Sequence, residues 1–366
     1  MSSKKNNLSR TSPEKAMKRI LKMIREMKLA PGDKLPPQDE IRKSLGLTNF
    51  VISKAMDRLR QYGAISRKRS EGTILVGLDK LPLETFCIGI MSKSPSLDKH
   101  NPSLLISFSY LVGETFAQGF DCHPLVSRRT HPAFGASFIQ DFHGLDECID
   151  DCIVDALICS ANFDGITSQK LDKTGLPIAE TWHEGISCGA LMDTGGMVLE
   201  AMGIFYNSGC RTFGIVNMDK PKPGHQAFWT SCQNTLSSLG LPSSNGRFFT
   251  SMMKAGNEGG GFIAADQILT LEQSRRPDAL IVMDDRVAIG LLDRLAGTES
   301  YRPQIAVLSN MQIPVEYKLP TLKFGLDMEE FASLAVSAAA ARITAPHLHP
   351  KVELVPLRLL DDENSR

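Results

Sequence analysis

Nowhere does the chain run to the roughly 18 consecutive apolar residues that a membrane-spanning helix needs. Its first thirty residues are polar and rich in Lys and Arg, without the apolar core of a secretory signal. Cysteine is sparse, with 8 in 366 residues, and the eight (Cys87, Cys122, Cys148, Cys152, Cys159, Cys188, Cys210 and Cys232) follow no framework spacing. They read as buried or free thiols. Cys148 and Cys152 lie one helical turn apart, but no second pair completes a metal site. His347 and His349 sit between Pro346 and Pro350 in an expected loop. A phosphate-binding Gly-Lys-Ser/Thr loop, a Gly-x-Ser-x-Gly elbow and a His-Glu-x-x-His helix are all missing. The run from Gly256 to Gly261 lacks dinucleotide-site spacing and is expected to be a flexible surface loop. Together these absences point to a soluble cytoplasmic protein, not an enzyme, with no cofactor, no metal and no membrane partner.

Net charge is missing too: 41 basic residues balance 41 acidic ones. The balance hides a split. Residues 1–80 carry 19 Lys and Arg against 8 Asp and Glu, a surplus of eleven positive charges, and the other 286 residues carry the opposite surplus. A basic module that meets a polyanion, attached to an acidic body with another task, explains such a split. A solvated charged face without a partner explains it equally well.

Residues 1–12 read as a mobile tail. Pro13 opens a helix to about Lys28 with an inward stripe of Ala16, Ile20, Met23, Ile24 and Met27. A turn-rich link from Leu29 to Pro37 follows, then a short helix from Gln38 to Leu45 that stops at Gly46. Thr48 caps a third helix, whose inward stripe is Ile52, Ala55, Met56 and Leu59. Two short strands around a basic tip, Lys68 to Gly72, complete the module. Three helices and a hairpin in a basic segment form a winged helix-turn-helix by pattern. The third helix then presents Asn49, Phe50, Ser53, Lys54 and Asp57 outward, where a recognition helix meets base edges. Arg67, Lys68 and Arg69 suit phosphate contact, and Gly72 a close backbone approach. Gln38 and Thr48, at the starts of the second and third helices, complete the DNA-binding candidates.

Residues 14–77 resemble the GntR family of bacterial transcription regulators. The resemblance rests on Pro31-Gly32-Asp33-Lys34-Leu35-Pro36-Pro37, Leu45-Gly46-Leu47-Thr48, Ala55 to Leu59, Gly63 and Gly72-Thr73. The family commonly places Arg after the cap of the recognition helix and another early in the second helix. Asn49 and Asp39 stand at those places here.

After a short linker (78–85), the pattern from residue 86 alternates strand and helix. Strands are expected at 86–91, 123–127, 155–159, 177–181, 212–217, 247–249, 279–283 and 304–308. Helices are expected at 103–119, 195–207, 227–239, 265–274, 286–295 and 329–342. Apolar strands separated by helices indicate parallel sheets covered on both faces, and the length of 86–366 suits two lobes. This body resembles the effector domain of LacI-type repressors, which has a periplasmic-binding-protein-like fold. The matching features are Asp193 before a helix, Gly209 before a strand, Pro277 to Asp285 with Ala288 and Gly290, Ile305 to Ser309, and Pro320 to Leu322 leading to Asp327.

The resemblance implies a ligand cleft between lobes, at the carboxyl ends of strands. It nominates Ser92, Ser94, Trp182, Asp193, Phe228, Asp284, Asp285 and Asn310. Phe228, Met311, Trp182 and Leu326 stand where the family keeps polar ligands. Two readings follow: a less polar or differently shaped ligand, such as a sugar derivative, or a cleft that binds nothing. The expected whole is an α/β protein, a winged helix followed by a two-lobed body with parallel sheets. It is read as a homodimeric repressor that binds operator DNA and responds to a small-molecule effector. An enzyme or stand-alone binder with an accessory winged helix, and a structural adaptor, are the alternatives.

Overall fold

The computed structural model describes residues 11–68, 70–92, 102–127, 141–160, 169, 171, 174–181, 186–217, 227–251, 256–313 and 315–360. Ser94, Arg69, Trp182 and most of the expected tail lie outside them. Helix α1 (Pro13–Glu26) starts where Ser12 Oγ accepts the Lys15 amide at 3.2 Å and Pro13 fits the first turn. Its buried face is Ala16, Met17, Ile20, Leu21 and Ile24. This face packs on α3 (Asn49–Gln61), which buries Ile52, Ala55, Met56 and Leu59 as its spacing predicts. Between them runs α2 (Gln38–Ser44), and Gly46 follows it in the left-handed region at φ +61.

Strands β1 (Ile65–Lys68) and β2 (Gly72–Leu75) pair antiparallel to make the wing. The link before α2 does more than turn. Gly32 and Leu35 donate backbone hydrogen bonds to Leu75 and Thr73 carbonyls, and the Leu75 amide donates to Asp33 O. Proline-flanked backbone is held extended, so it lies naturally along the sheet edge.

Residues 78–85 form two 3-10 turns rather than a loose tether, and Leu78 and Leu81 are buried. They carry one apolar core from the winged helix into the body. Polar groups fix the same joint. Arg25 Nη2 donates to Asp155 Oδ1 at 2.8 Å, with side chains only 3% and 1% exposed. Lys18 reaches Asp155 Oδ2 at 3.3 Å, the Cys87 amide donates to that oxygen at 3.0 Å, and Lys15 pairs with Asp151.

The first lobe contains β3 (Cys87–Ser92), α4 (Pro102–Ala117), β4 (Asp121–Val126), α5 (Leu145–Asp150), β5 (Ala156–Cys159), β6 (Ile178–Thr181) and β7 (Gly189–Met192). The chain then crosses to the second lobe. That lobe holds α6 (Thr194–Asn207), β8 (Phe213–Asn217), α7 (Ala227–Ser238), β9 (Gly246–Thr250), α8 (Gly256–Leu269), β10 (Ala279–Val282), α9 (Asp285–Ala296), β11 (Gln304–Asn310) and β12 (Leu322–Leu326). Helix α10 (Met328–Thr344) and β13 (Val352–Val355) return to the first lobe, and β14 (Arg358–Leu360) closes the second.

Among the described residues each lobe has a six-stranded sheet, ordered β13-β7-β6-β5-β3-β4 and β14-β12-β11-β10-β8-β9. All neighbours pair parallel except β12 with β14. The two-lobed parallel architecture expected from the alternating pattern is the one observed. Four strands outside the expectations, β7, β12, β13 and β14, are short, and β13 and β14 lie at sheet edges. Pro124 falls in β4, also an edge, where a missing amide costs no ladder bond.

The glycine run corrects one expectation. Gly256 to Gly261 is the first part of α8, not a surface loop. A Cβ on Gly261 would lie 2.1 Å from Val287 O, and one on Gly290 only 1.9 Å from Glu258 O. The glycines let α8 and α9 pack backbone to backbone. Tertiary contact overrides their poor helix propensity.

Candidate DNA interface and ligand cleft

On the winged helix, Thr48 Oγ1 caps α3 by accepting the Val51 amide at 3.4 Å. The first turn beyond it is exposed: Asn49, Phe50 (69% exposed) and Lys54, whose Nζ lies 6.0 Å from the Phe50 ring centroid. An aromatic ring left in water at the start of this helix suits packing on a base methyl. Lys68 is exposed and pairs with Glu71 at 3.2 Å. Gly72 takes φ +87 to close the hairpin, so its conformation alone accounts for glycine.

Three of the nominated residues bond to one another. Gln38 Nε2 donates to Ser53 Oγ at 3.0 Å, and Arg67 Nη2 donates to Gln38 Oε1 at 2.5 Å. Gln38 thus ties α2, the recognition helix and the wing into one surface. The expected DNA-binding candidate Gln38 thus also has a bracing position within the protein.

In the body, three crossovers join the lobes at the carboxyl ends of strands: after β7 at Asp193, after β12 at Asp327 and after β13. The carboxyl edges of both sheets therefore face the same inter-lobe region. Each sheet reverses strand order once, at β3/β5 and at β8/β10, and such switch points open crevices. Polar residues gather there. Ser92 ends β3 and is buried, and Ser160 follows β5 with a buried Oγ that has no hydrogen-bond partner. Thr181 ends β6, and Asn217 ends β8. Ser251, after β9, has an equally unpartnered buried Oγ. Asp284, Asp285, Ser309 and Asn310 follow or end β10 and β11, and Ser309 Oγ lies 3.4 Å from Tyr317 Oη.

Ser160, Thr181, Asn217, Ser251, Ser309 and Tyr317 were not among the sequence candidates. Except for Tyr317, their signal was readable: one polar residue directly at the end of an apolar strand.

The acids have local duties. Asp193 Oδ1 accepts the Gly196 amide at 2.8 Å and caps α6. Asp284 Oδ1 accepts the Arg286 and Val287 amides at 3.0 and 2.8 Å and caps α9. Desolvation nevertheless pushes Asp284 up to about 6, and the neighbouring Asp285 adds to the rise. Asp285 is buried and also raised by desolvation. Asn310 Oδ1 accepts the Gln312 amide at 2.9 Å. Phe228 is buried and packs on Phe248 with centroids 6.1 Å apart, so it serves the α7–β9 core, whereas Met311 is 40% exposed.

The chemistry for nucleophilic catalysis is weak. Burial raises the pKa of all eight thiols, Cys122 to about 11. Cys148 Sγ lies 3.4 Å from His123 Nε2, a neighbour that sequence spacing did not reveal. No group of three or more His, Cys, Asp or Glu placed to hold a metal occurs among the described residues.

Residues 13–75 match the family model of bacterial regulatory proteins of the gntR family, and residues 203–361 match that of the periplasmic binding protein-like domain. No curated protein matches the chain. Among solved structures, the chain is similar to the lactose repressor bound to the anti-inducer ONPF (TM-score 0.56, 12% identity, 75% of this chain and 98% of that one). It is also similar to the Cra transcriptional dual regulator from Pseudomonas putida in complex with fructose 1-phosphate (TM-score 0.55, 16% identity, 75% and 98%). A third is the transcriptional regulator CelR–cellobiose complex (TM-score 0.58, 13% identity, 86% and 90%). At such identities the likeness is one of fold. No helix among the described residues is long and apolar enough to cross a membrane. The chain thus matches the gntR model in its N-terminal winged helix and the periplasmic binding protein-like model over much of its two-lobed body.

Proposed function

We propose that the protein is a ligand-responsive, operator-binding repressor that works in the cytoplasm as a homodimer and catalyses no reaction. Residues 13–77 are the DNA reader, 78–85 the joint and 86–366 the sensor. The observation that carries the reading is the exposed first turn of α3, Asn49-Phe50 with Lys54, beside a basic wing. Asn49 and Phe50 read bases, while Lys54, Arg67, Lys68 and Arg69 neutralise phosphates. Thr48 and Ser53 hold the helix start, and Gln38 braces the wing against it.

The effector sits in the inter-lobe cleft. Asp285 anchors it through charge-assisted hydrogen bonds, with Ser92, Ser94, Asp193 and Asn310 around it and Trp182 as a stacking surface. Asp284 supports Asp285 from its cap position, and Phe228 shapes the wall from the core side. The carboxylates and hydroxyls at the strand ends suit a neutral polyol. The Cra and CelR structures hold fructose 1-phosphate and cellobiose, which supports a hydroxyl-rich ligand here.

Selection of bound fragments from the host genome tests the reading. The expected result is one recurrent motif with twofold symmetry, bound with a steep salt dependence. Recovery of fragments without a shared motif would refute it.

A further inference from the structure

The joint between the winged helix and the first lobe leaves a half-open cavity of about 280 Å³ that the regulator reading does not use. Arg25, Glu26 and Lys28 line it from the end of α1, the turn at 175–177 from one side, and Arg342 from the end of α10. Three cations thus face one carboxylate, and Glu26 lies 3.9 Å from Lys22. Arg25 is buried, yet it gives only Nη2 to Asp155, and its Nη1 has no partner. Arg342 donates Nη1 to the carbonyls of Pro346 and Leu348, which fixes the guanidinium without neutralising it. Among the described residues no carboxylate pairs with Lys28 or Arg342. Lys28 sits at φ +52, the left-handed residue that ends α1, where the Leu29 amide donates to Ile24 O.

Asp155 offsets Arg25 and Glu26 offsets one further charge, which leaves a positive surplus that a bound anion would neutralise. Fixed guanidinium forks match tetrahedral oxyanions, and a lysine beside them adds a point charge. The volume falls just below the ~300 Å³ at which small-molecule pockets begin, so it suits a compact ligand. We propose that this cavity binds a phosphate group, either inorganic phosphate or a small phosphate monoester, held between Lys28 of the DNA reader and Arg342 of the body. The bound phosphate ties α1 to the first lobe, so its concentration sets how firmly the reading head is held.

Thermal unfolding of the full chain tests this, with potassium phosphate and glycerol 3-phosphate each compared with potassium chloride at equal ionic strength. The expected result is a saturable rise in Tm with at least one phosphate and none with chloride. The stronger of the two phosphates identifies the source of the ligand. Lys28→Gln and Arg342→Gln should each weaken the apparent phosphate affinity about tenfold or more. Lys28 is exposed, so its variant keeps the test valid should loss of the Arg342 carbonyl contacts loosen the fold. Hydrogen exchange should slow with phosphate at the last turn of α1 and at 342–348. An equal rise with chloride, an undiminished phosphate response in Lys28→Gln, or protection confined to α3 and the wing would overturn the proposal.

Discussion

Asp284 carries two opposed demands. Its carboxylate accepts two amides at the start of α9, which favours the charged form. Desolvation and Asp285 oppose ionisation and prevail, so the group titrates near 6 rather than at the ordinary 3.8. A carboxyl whose folded pKa lies above its unfolded value binds its proton more tightly in the native state. Stability is therefore lost as pH rises from about 4 through 6, and the loss is complete above that window. Asn caps a helix as well as Asp and does not titrate. Asp284→Asn should thus gain about 1–2 kcal/mol over wild type at pH 7.5, after allowance for partial solvent access. Most of that gain should vanish at pH 4.5. Urea midpoints of the two proteins at both pH values measure it, and a pH-independent difference would point to packing instead of charge.

At the scale of elements, the hydrogen-bonded series Arg67–Gln38–Ser53 fastens the wing to the recognition helix. The neutral Gln38–Ser53 hydrogen bond is worth about 1 kcal/mol net, and the bond from the Arg67 guanidinium is charge-assisted. Gln38→Ala should therefore weaken operator binding about fivefold or more by letting wing and helix move separately. It removes no charge, so the slope of log K against log salt should stay that of wild type. A flattened slope would mean instead that Arg67 had left its phosphate. Gel-shift titrations over a salt series separate the two.

Legibility in the sequence divides along the same lines. Helices α1 and α3 were readable because cap, proline and apolar stripe all agree over 13 or more residues. The parallel sheets were readable from continuous apolar runs. The α8 glycines were not, since their reason is the backbone of α9, some thirty residues away. The edge pairing of residues 32–35 was hidden because prolines mark turn and sheet edge alike. The sequence nominates Asp193 and Asp284 for the cleft but does not show their capping, which depends on where each helix begins, the least certain boundary from sequence. The Arg25–Asp155 pair, 130 residues apart, left no local signal at all.

For the whole molecule, the reading head is docked on the body, and one head offers only a few base contacts. Specific sites usually need two heads related by a twofold axis, so the proposed operator binding calls for a second copy joined through the body. Helix α4 offers the surface. Leu105 and Phe116 are 52% and 56% exposed, while Phe108 and Val112, between them at i, i+3, i+7 and i+11, are half-buried and pack on the core with their inner sides. Two large apolar groups left in water on one face of the same helix suit contact with a partner. Leu105→Glu combined with Phe116→Glu places like charges along that face, next to each other in a second copy. The variant should sediment as a monomer at micromolar concentration while its circular dichroism stays that of wild type. Operator affinity should fall by about 10²-fold or more, since the second half-site no longer binds intramolecularly. Non-specific DNA binding, which depends on the phosphate contacts of each head alone, should fall far less. A double variant that sediments as a dimer would move the interface away from α4. Loss of operator binding with the dimer intact would mean that α4 acts on the reading head directly.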